Sequence, residues 1–190
     1  MKPSNTRRDF IKLSLLTGGL APCLGNVLFA EEQADPCEEK MKNAVQKMRD
    51  RELVEQIKLI KKLVEKYGKG LIDVIKQHTI DETSNRYQEA KIPKRDLEAV
   101  KKYLWDALDS NRFQFVKVKD TPEYLEFKVT RCLLAEIAKQ IDGGEIGFAL
   151  NCAWDYGFCR GLNPEIKFTR TKTLMMGDDC CNHTYRLPKA

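Results

Sequence analysis

Along the N-terminal half of the chain, hydrophobic positions recur at helical spacing. Leu53, Ile57, Ile60, Val64, Tyr67 and Leu71 fall at alternating intervals of four and three, with glutamate and lysine on the other faces. One apolar stripe of that kind predicts a long amphipathic helix. Gly68 and Gly70 interrupt it and predict a bend or break, after which Ile72 and Ile75 carry the stripe toward His78. From Asp81 to Pro93 the pattern fades into a polar run that ends in a proline, which predicts a loop or a frayed helix. Asp96 then stands where an N-cap is expected, ahead of a helix carrying Leu97, Val100, Leu104 and Leu108.

After Asn111 the period shortens. Phe113 to Val118 is aromatic and β-branched, Lys119 to Glu123 has turn chemistry, and Leu125, Phe127 and Val129 alternate within Tyr124 to Thr130. Together they predict a β-hairpin. Leu133, Leu134, Ile137, Ala138 and Ile141 predict a short helix that stops at Gly143-Gly144. A second helix is expected from Glu145 to Phe158, before the break at Asn163-Pro164. Glu165 to Thr173 alternates again, and Cys181 to Leu187 offers a last strand, with Gly177-Asp178-Asp179 as the turn between them. The expected fold is α+β: a helical N-terminal half packed on a small antiparallel sheet with two further helices. It forms a single domain over residues 37–190, with residues 37–111 helical and residues 112–190 the α+β part.

Composition narrows the classes. The 190 residues are 42% hydrophobic, enough for one domain with a real core. The formal charge is +5, but 28 acidic residues interleave with 33 basic ones on what read as helix faces. A nucleic-acid binder gathers its basic residues in a patch, so nucleic acid is not an expected partner. Thr6-Arg7-Arg8-Asp9-Phe10-Ile11-Lys12, followed by a weakly apolar run with glycines, has the layout of a twin-arginine export signal. The expectation is a leader over residues 1–30, recognition by the Tat export machinery, and a periplasmic or extracytoplasmic destination. Seven cysteines occur, and Cys23 falls in the leader. The other six permit disulfides in an oxidising compartment.

Candidate chemistry gathers in the C-terminal half. Cys132 directly follows a predicted strand. Cys152, Asp155 and Cys159 share a helix face at i, i+3 and i+7. Asp155, between Trp154 and Tyr156, would need a partner if buried. Arg170 to Tyr185 holds Asp178, Asp179, Cys180, Cys181 and His183. Plainer readings stand beside these: core or disulfide cysteines, turn aspartates, a satisfied core histidine and a solvated strand arginine. No CxxC pair supports zinc, so metal on Cys152, Cys181 and His183 has only weak support and no cofactor is expected. A glycine-rich phosphate loop, a G-x-S-x-G elbow and an HExxH motif are all missing, which removes the common hydrolase and nucleotide-binding classes.

Four stretches taken together resemble one family. They are Val129-Thr130-Arg131-Cys132; Cys152-Ala153-Trp154-Asp155; Asn163-Pro164 followed by Phe168-Thr169-Arg170-Thr171-Lys172-Thr173-Leu174; and Gly177-Asp178 with Cys181-Asn182. This pattern, from Phe113 to Arg186, resembles the L-2-amino-thiazoline-4-carboxylic acid hydrolase family. Asn182 stands where that family commonly has an aspartate, and His183 where it commonly has an aromatic residue. The resemblance implies hydrolytic opening of a cyclic amidine-like C–N bond in a thiazoline carboxylate, toward L-cysteine, with a small molecule as substrate. Such a reaction needs an attack on C2, a proton for the leaving ring nitrogen and a grip on the carboxylate. A thiolate of lowered pKa suits the first role. An aspartate suits the second, as general acid or as base for a water. An arginine suits the third. On this resemblance the catalytic candidates are Cys152, Asp155, Cys181 and His183, facing one another across a pocket. The substrate-binding candidates are Arg170, Thr171, Thr173, Asn163, Asp178 and Cys132, with Cys180 a bystander.

Two other functions fit the same residues. One is a non-enzymatic exported domain that senses a ligand, a metal or redox state through its cysteines. The other is a structural domain whose cysteines are core or disulfides. The long helix around Leu53 to Leu71 also allows pairing with a second copy in a homo-oligomer.

Overall fold

A computed structural model describes residues 36–188; the expected leader lies outside the described residues. Helix α1 (Pro36–Tyr67) and helix α2 (Gly70–Glu89) come first. A short α3 (Leu97–Val100) follows and runs into a π-helical turn (Lys101–Trp105). The hairpin β1 (Phe113–Thr121) and β2 (Tyr124–Cys132) leads into α4 (Leu133–Lys139). Helix α5 (Gly144–Gly147) passes through a second π-helical turn (Phe148–Cys152) into α6 (Trp154–Leu162). Strand β3 (Lys167–Thr169), a 3₁₀ turn (Leu174–Met176) and β4 (Cys181–Arg186) complete the chain. The four strands form one antiparallel sheet in the order β1-β2-β4-β3, so the fold is α+β.

The stripe on α1 is used only in part. Leu53 and Ile57 are buried, but Tyr67 is 66% exposed. The chain turns away at Gly68, whose φ of 91° is easy only for glycine. Of the two readings of the polar segment after Asp81, loop or frayed helix, the structure takes the helical one: α2 continues to Glu89. Its buried residues there are Thr83 and Ser84, not large apolar ones. They lie under Gly157 and Gly161 of α6, where a Cβ would collide with the carbonyl oxygens of Ile80 and Ser84. Two bare glycines thus let the helix backbones meet, which no apolar stripe would announce. Asp96 caps α3 as expected, its side chain accepting from the Ala99 N–H.

The core has two parts. Leu125, Phe127 and Val129 of β2, Tyr185 of β4, Val100 and Trp105, and Phe158 of α6 make the first. Leu53, Ile57, Ala135, Ala138, Ile146 and Met175 make the second. Each fully buried large apolar side chain contributes about 1.5–3 kcal/mol. Cys132 and Leu174 pack against both clusters and mark the seam between them.

The expected strand from Glu165 to Thr173 pairs only over Lys167–Thr169. Beyond it the Asn182 side chain replaces the ladder. Its Oδ1 accepts from the N–H groups of Thr171 and Lys172 at 3.0 and 2.7 Å, and its Nδ2 donates to Thr171 Oγ1. The turn before β4 is braced by Thr173 N–H donating to Asp178 Oδ2 at 2.7 Å, and Gly177 takes a left-handed φ of 104°.

Candidate functional site

Register decides which side chains enter the seam. Across the β2–β4 pair, Phe127 faces His183 and Val129 faces Cys181. Alternation then puts Cys181, His183 and Tyr185 on the buried face and Asn182 on the other. Cys132 arrives as the last residue of β2. The second π-helical turn ends on Cys152, and α6 begins two residues later with Asp155 in its first turn. Such turns carry an extra residue and often sit at functional sites.

Arg170 turns inward just after β3 and joins these pieces. Its Nη1 donates to Asp155 Oδ2 at 2.5 Å and lies 3.1 Å from His183 Nε2. Its Nη2 donates to the Cys152 carbonyl at 2.9 Å. The guanidinium lies 5.1–5.6 Å from the rings of Phe148, Tyr156 and Phe168, within cation–π range. His183 is held edge-on to Trp105 and stacked on Phe168, at centroid distances of 5.1 and 5.7 Å. Its Nε2 is also 3.4 Å from Asp155 Oδ2.

These distances constrain the proton positions. A guanidinium only donates, so a His183 that accepts from Arg170 at Nε2 carries its proton on Nδ1. The other neutral tautomer turns an Nε2–H toward Asp155 and leaves Nδ1 as an acceptor. In either tautomer His183 Nδ1 is buried without a protein partner, as is Arg170 Nε. Each unpaired buried group costs about 1–3 kcal/mol unless a ligand or water meets it.

A cavity of about 100 Å³ lies beside them, walled by Cys132, Cys152, Cys181, Asp155, Arg170 and His183 among others. That is room for a few waters or a small heterocycle. Burial raises the Asp155 pKa, but the hydrogen bond and charge of His183, together with Arg170, outweigh it and leave the carboxyl below its ordinary value. The thiols move the other way. Burial pushes Cys152 up to about 12 against the pull of Arg170, and it also raises Cys132 and Cys181. Cys181 Sγ further accepts from the Leu174 N–H and contacts Thr173 Oγ1. The lowered pKa that a resident thiolate would need is therefore not what the surroundings produce.

Of the ten residues singled out from the sequence, six meet at the cavity and four do not. Asn163 donates to the Arg95 carbonyl and accepts from the Glu165 N–H, at the end of α6. Thr171 is exposed and held by Asn182. Thr173 caps the 3₁₀ turn and Asp178 braces it. Arg170, expected to grip a carboxylate, has both terminal nitrogens engaged within the protein. Cys159, read as sharing the Cys152–Asp155 face, is 2% exposed within the first core cluster. Cys132, Cys152, Cys159, Cys180 and Cys181 are all free thiols, which removes the disulfide reading for these five. Among the described residues no group of three His, Cys, Asp or Glu side chains is arranged to hold a metal ion.

Sequence reading missed Trp105, Phe113 and Asn151 in the cavity wall. It also missed the aromatic box around Arg170. Trp105 falls one residue beyond Leu104, off the stripe that runs on to Leu108, and the π-helical turn that carries it left no signal; nor did Asn151. Residues 33–185 match the family described as L-2-amino-thiazoline-4-carboxylic acid hydrolase. A search of curated proteins gives no match.

Proposed function

We propose that this chain, which belongs to the L-2-amino-thiazoline-4-carboxylic acid hydrolase family, opens the ring of a 2-amino-thiazoline carboxylate by adding water at C2. One observation carries the reading. A buried Asp155–Arg170–His183 cluster stands beside a small cavity, with His183 Nδ1 unpaired and able to serve a ligand.

In this reading His183 moves the proton. With its Nε2–H turned to Asp155, Nδ1 takes a proton from the attacking water as the new C2–O bond forms. The same Nδ1 returns this proton to the ring nitrogen, then carries the remaining O–H proton there as the C2–N bond breaks and the carbonyl forms. One water is consumed, the sulfur stays bonded to C2, and the product is an S-carbamoyl cysteine. Asp155 balances the imidazolium charge, and Arg170 fixes Asp155. Positioned acid–base catalysis of this kind is worth about 10²–10⁴ in rate. Cys132 and Cys152 remain thiols at neutral pH and offer a polarisable wall for the ring sulfur. The twin-arginine leader belongs to the same proposal and would set this activity outside the cytoplasm.

The test is an assay of the mature chain with L-2-amino-thiazoline-4-carboxylate in ¹⁸O water. The expected result is label in the carbamoyl oxygen, with kcat lower by about 10² in His183→Ala and largely kept in Cys152→Ser. No turnover by the native chain would overturn the reading. Loss in Cys152→Ser equal to that in His183→Ala would replace water by a thiol.

A further inference from the structure

The cavity does not end at the thiols. Leu108, Phe113, Leu134 and Asn151 line it, and the same four residues line a groove of about 410 Å³ that opens along α1. The groove is about four times the size of the chamber beside it. A free thiazoline carboxylate would fill the chamber and leave the groove empty.

Charge along this path is uneven. In the chamber, Arg170 spends Nη1 on Asp155 and Nη2 on the Cys152 carbonyl. It has no two-pronged grip left for a carboxylate. In the groove, Arg112 is closed by Asp50 through bonds of 3.0 and 2.6 Å. Glu52 accepts from Gln56, and Asp109 accepts from the Asn111 N–H. Arg49 lines the same groove, is exposed, and makes no ion pair or hydrogen bond among the described residues. Of the four residues that line both spaces, Asn151 alone is polar. Its Nδ2 is spent on the Gly147 carbonyl at 3.3 Å, while its Oδ1 accepts nothing among the described residues.

We propose that the substrate carries the 2-amino-thiazoline ring at the end of a short peptide, in place of its N-terminal residue. The ring occupies the chamber, the first peptide N–H donates to Asn151 Oδ1, and the terminal carboxylate meets Arg49. This rests on the ring-opening reading above and adds the tail. Each residue of tail reaches about 3.3–3.6 Å further along the groove. The tail passes between the four shared residues as a thin peptide bond, and the groove beyond them takes the side chain.

The experiment compares three compounds on the native chain and on Arg49→Gln: the free ring acid, its glycine conjugate and its glycinamide conjugate. Turnover and equilibrium binding are both measured. The glycine conjugate is expected to bind about tenfold more tightly than the glycinamide, the worth of one charge-assisted contact. That ratio is expected to fall to about one in Arg49→Gln, through KM and not kcat. Turnover of the free acid with no gain from either tail would overturn the peptide substrate and leave the ring-opening reading standing. Binding of the glycine conjugate through Arg49 without turnover of any compound would uphold the groove assignment and overturn the ring-opening reading. Equal ratios in the native chain and Arg49→Gln would overturn the role of Arg49.

Discussion

Arg170 Nη1 sits 2.5 Å from Asp155 Oδ2, and only 2% of the Arg170 side chain reaches solvent. Two charges have been taken out of water together, so the pair holds only while both partners are present. Arg170→Met leaves Asp155 uncompensated and is expected to lower the unfolding free energy by about 3–5 kcal/mol in a urea titration. Asp155→Asn keeps an acceptor for the guanidinium but leaves a lone buried cation. The double variant should recover part of the summed loss. Strict additivity of the two single effects would show that the pair is not coupled.

The acid limb of stability follows from the same aspartate. Its folded carboxyl lies below the ordinary value, despite burial, because His183 and Arg170 favour the anion. A depressed carboxyl adds stability that is full above the unfolded value of about 3.9 and is lost as pH falls through the folded one. Unfolding titrations from neutral pH down to about pH 2 should show this loss in the native chain. The loss should shrink in Asp155→Asn. Asp50, also depressed by Arg112, remains in both proteins and cancels in the difference.

On the alkaline side the thiols act in the opposite sense. Cys152 ionises near 9.0 in the unfolded chain and at about 12 in the folded one, because burial disfavours the thiolate. Its contribution is full below pH 9 and disappears as pH rises toward 12. Cys152→Ala is expected to flatten that limb in urea titrations between those values. The same burial predicts that Cys152 alkylates with iodoacetamide at pH 8 far more slowly than a free cysteine. Rapid labelling at this position, located by mass spectrometry, would restore a thiolate nucleophile to consideration.

How far these sites could be read from the chain depends on the kind of signal. Alternation in Leu125, Phe127 and Val129 made β2 visible, and the same period put Cys181 and His183 on one face of β4. The i, i+3 spacing brought Cys152 and Asp155 together, and the structure keeps them together. It fails at Cys159, which enters the core one turn later. The second half of α2 was hidden because its partner is a pair of glycines, and glycines carry no apolar stripe. Arg170 looked like one position in an alternating strand. What turns it inward is a side-chain acceptor eleven residues from Thr171, Asn182 Oδ1, and such long-range capping leaves no local trace.

Arg95 is a second residue whose role no local pattern announces. Its Nη1 donates to the carbonyls of Tyr87, Gly161 and Leu162, and its Nη2 to those of Gln88 and Ala90, at 2.7–3.1 Å. These acceptors are terminal carbonyls of α2 and α6 and of the residue after α2, the groups a helix end cannot satisfy internally. The positive charge also faces the negative ends of both helix dipoles. One side chain therefore ties together the two helices that meet at Gly157 and Gly161, and α6 is the helix that carries Asp155. Arg95→Met is expected to cost about 2–4 kcal/mol, since several bonds to a charged donor vanish at once and leave part-buried carbonyls unpaired. Arg95→Lys should restore less than half of it, because a single ammonium cannot span five acceptors in two directions. Hydrogen exchange should quicken first at the last turns of α2 and α6, ahead of β2 and β4. A loss below about 0.5 kcal/mol in urea titration, the size of an ordinary surface change, would show that water serves these carbonyls as well as the guanidinium does.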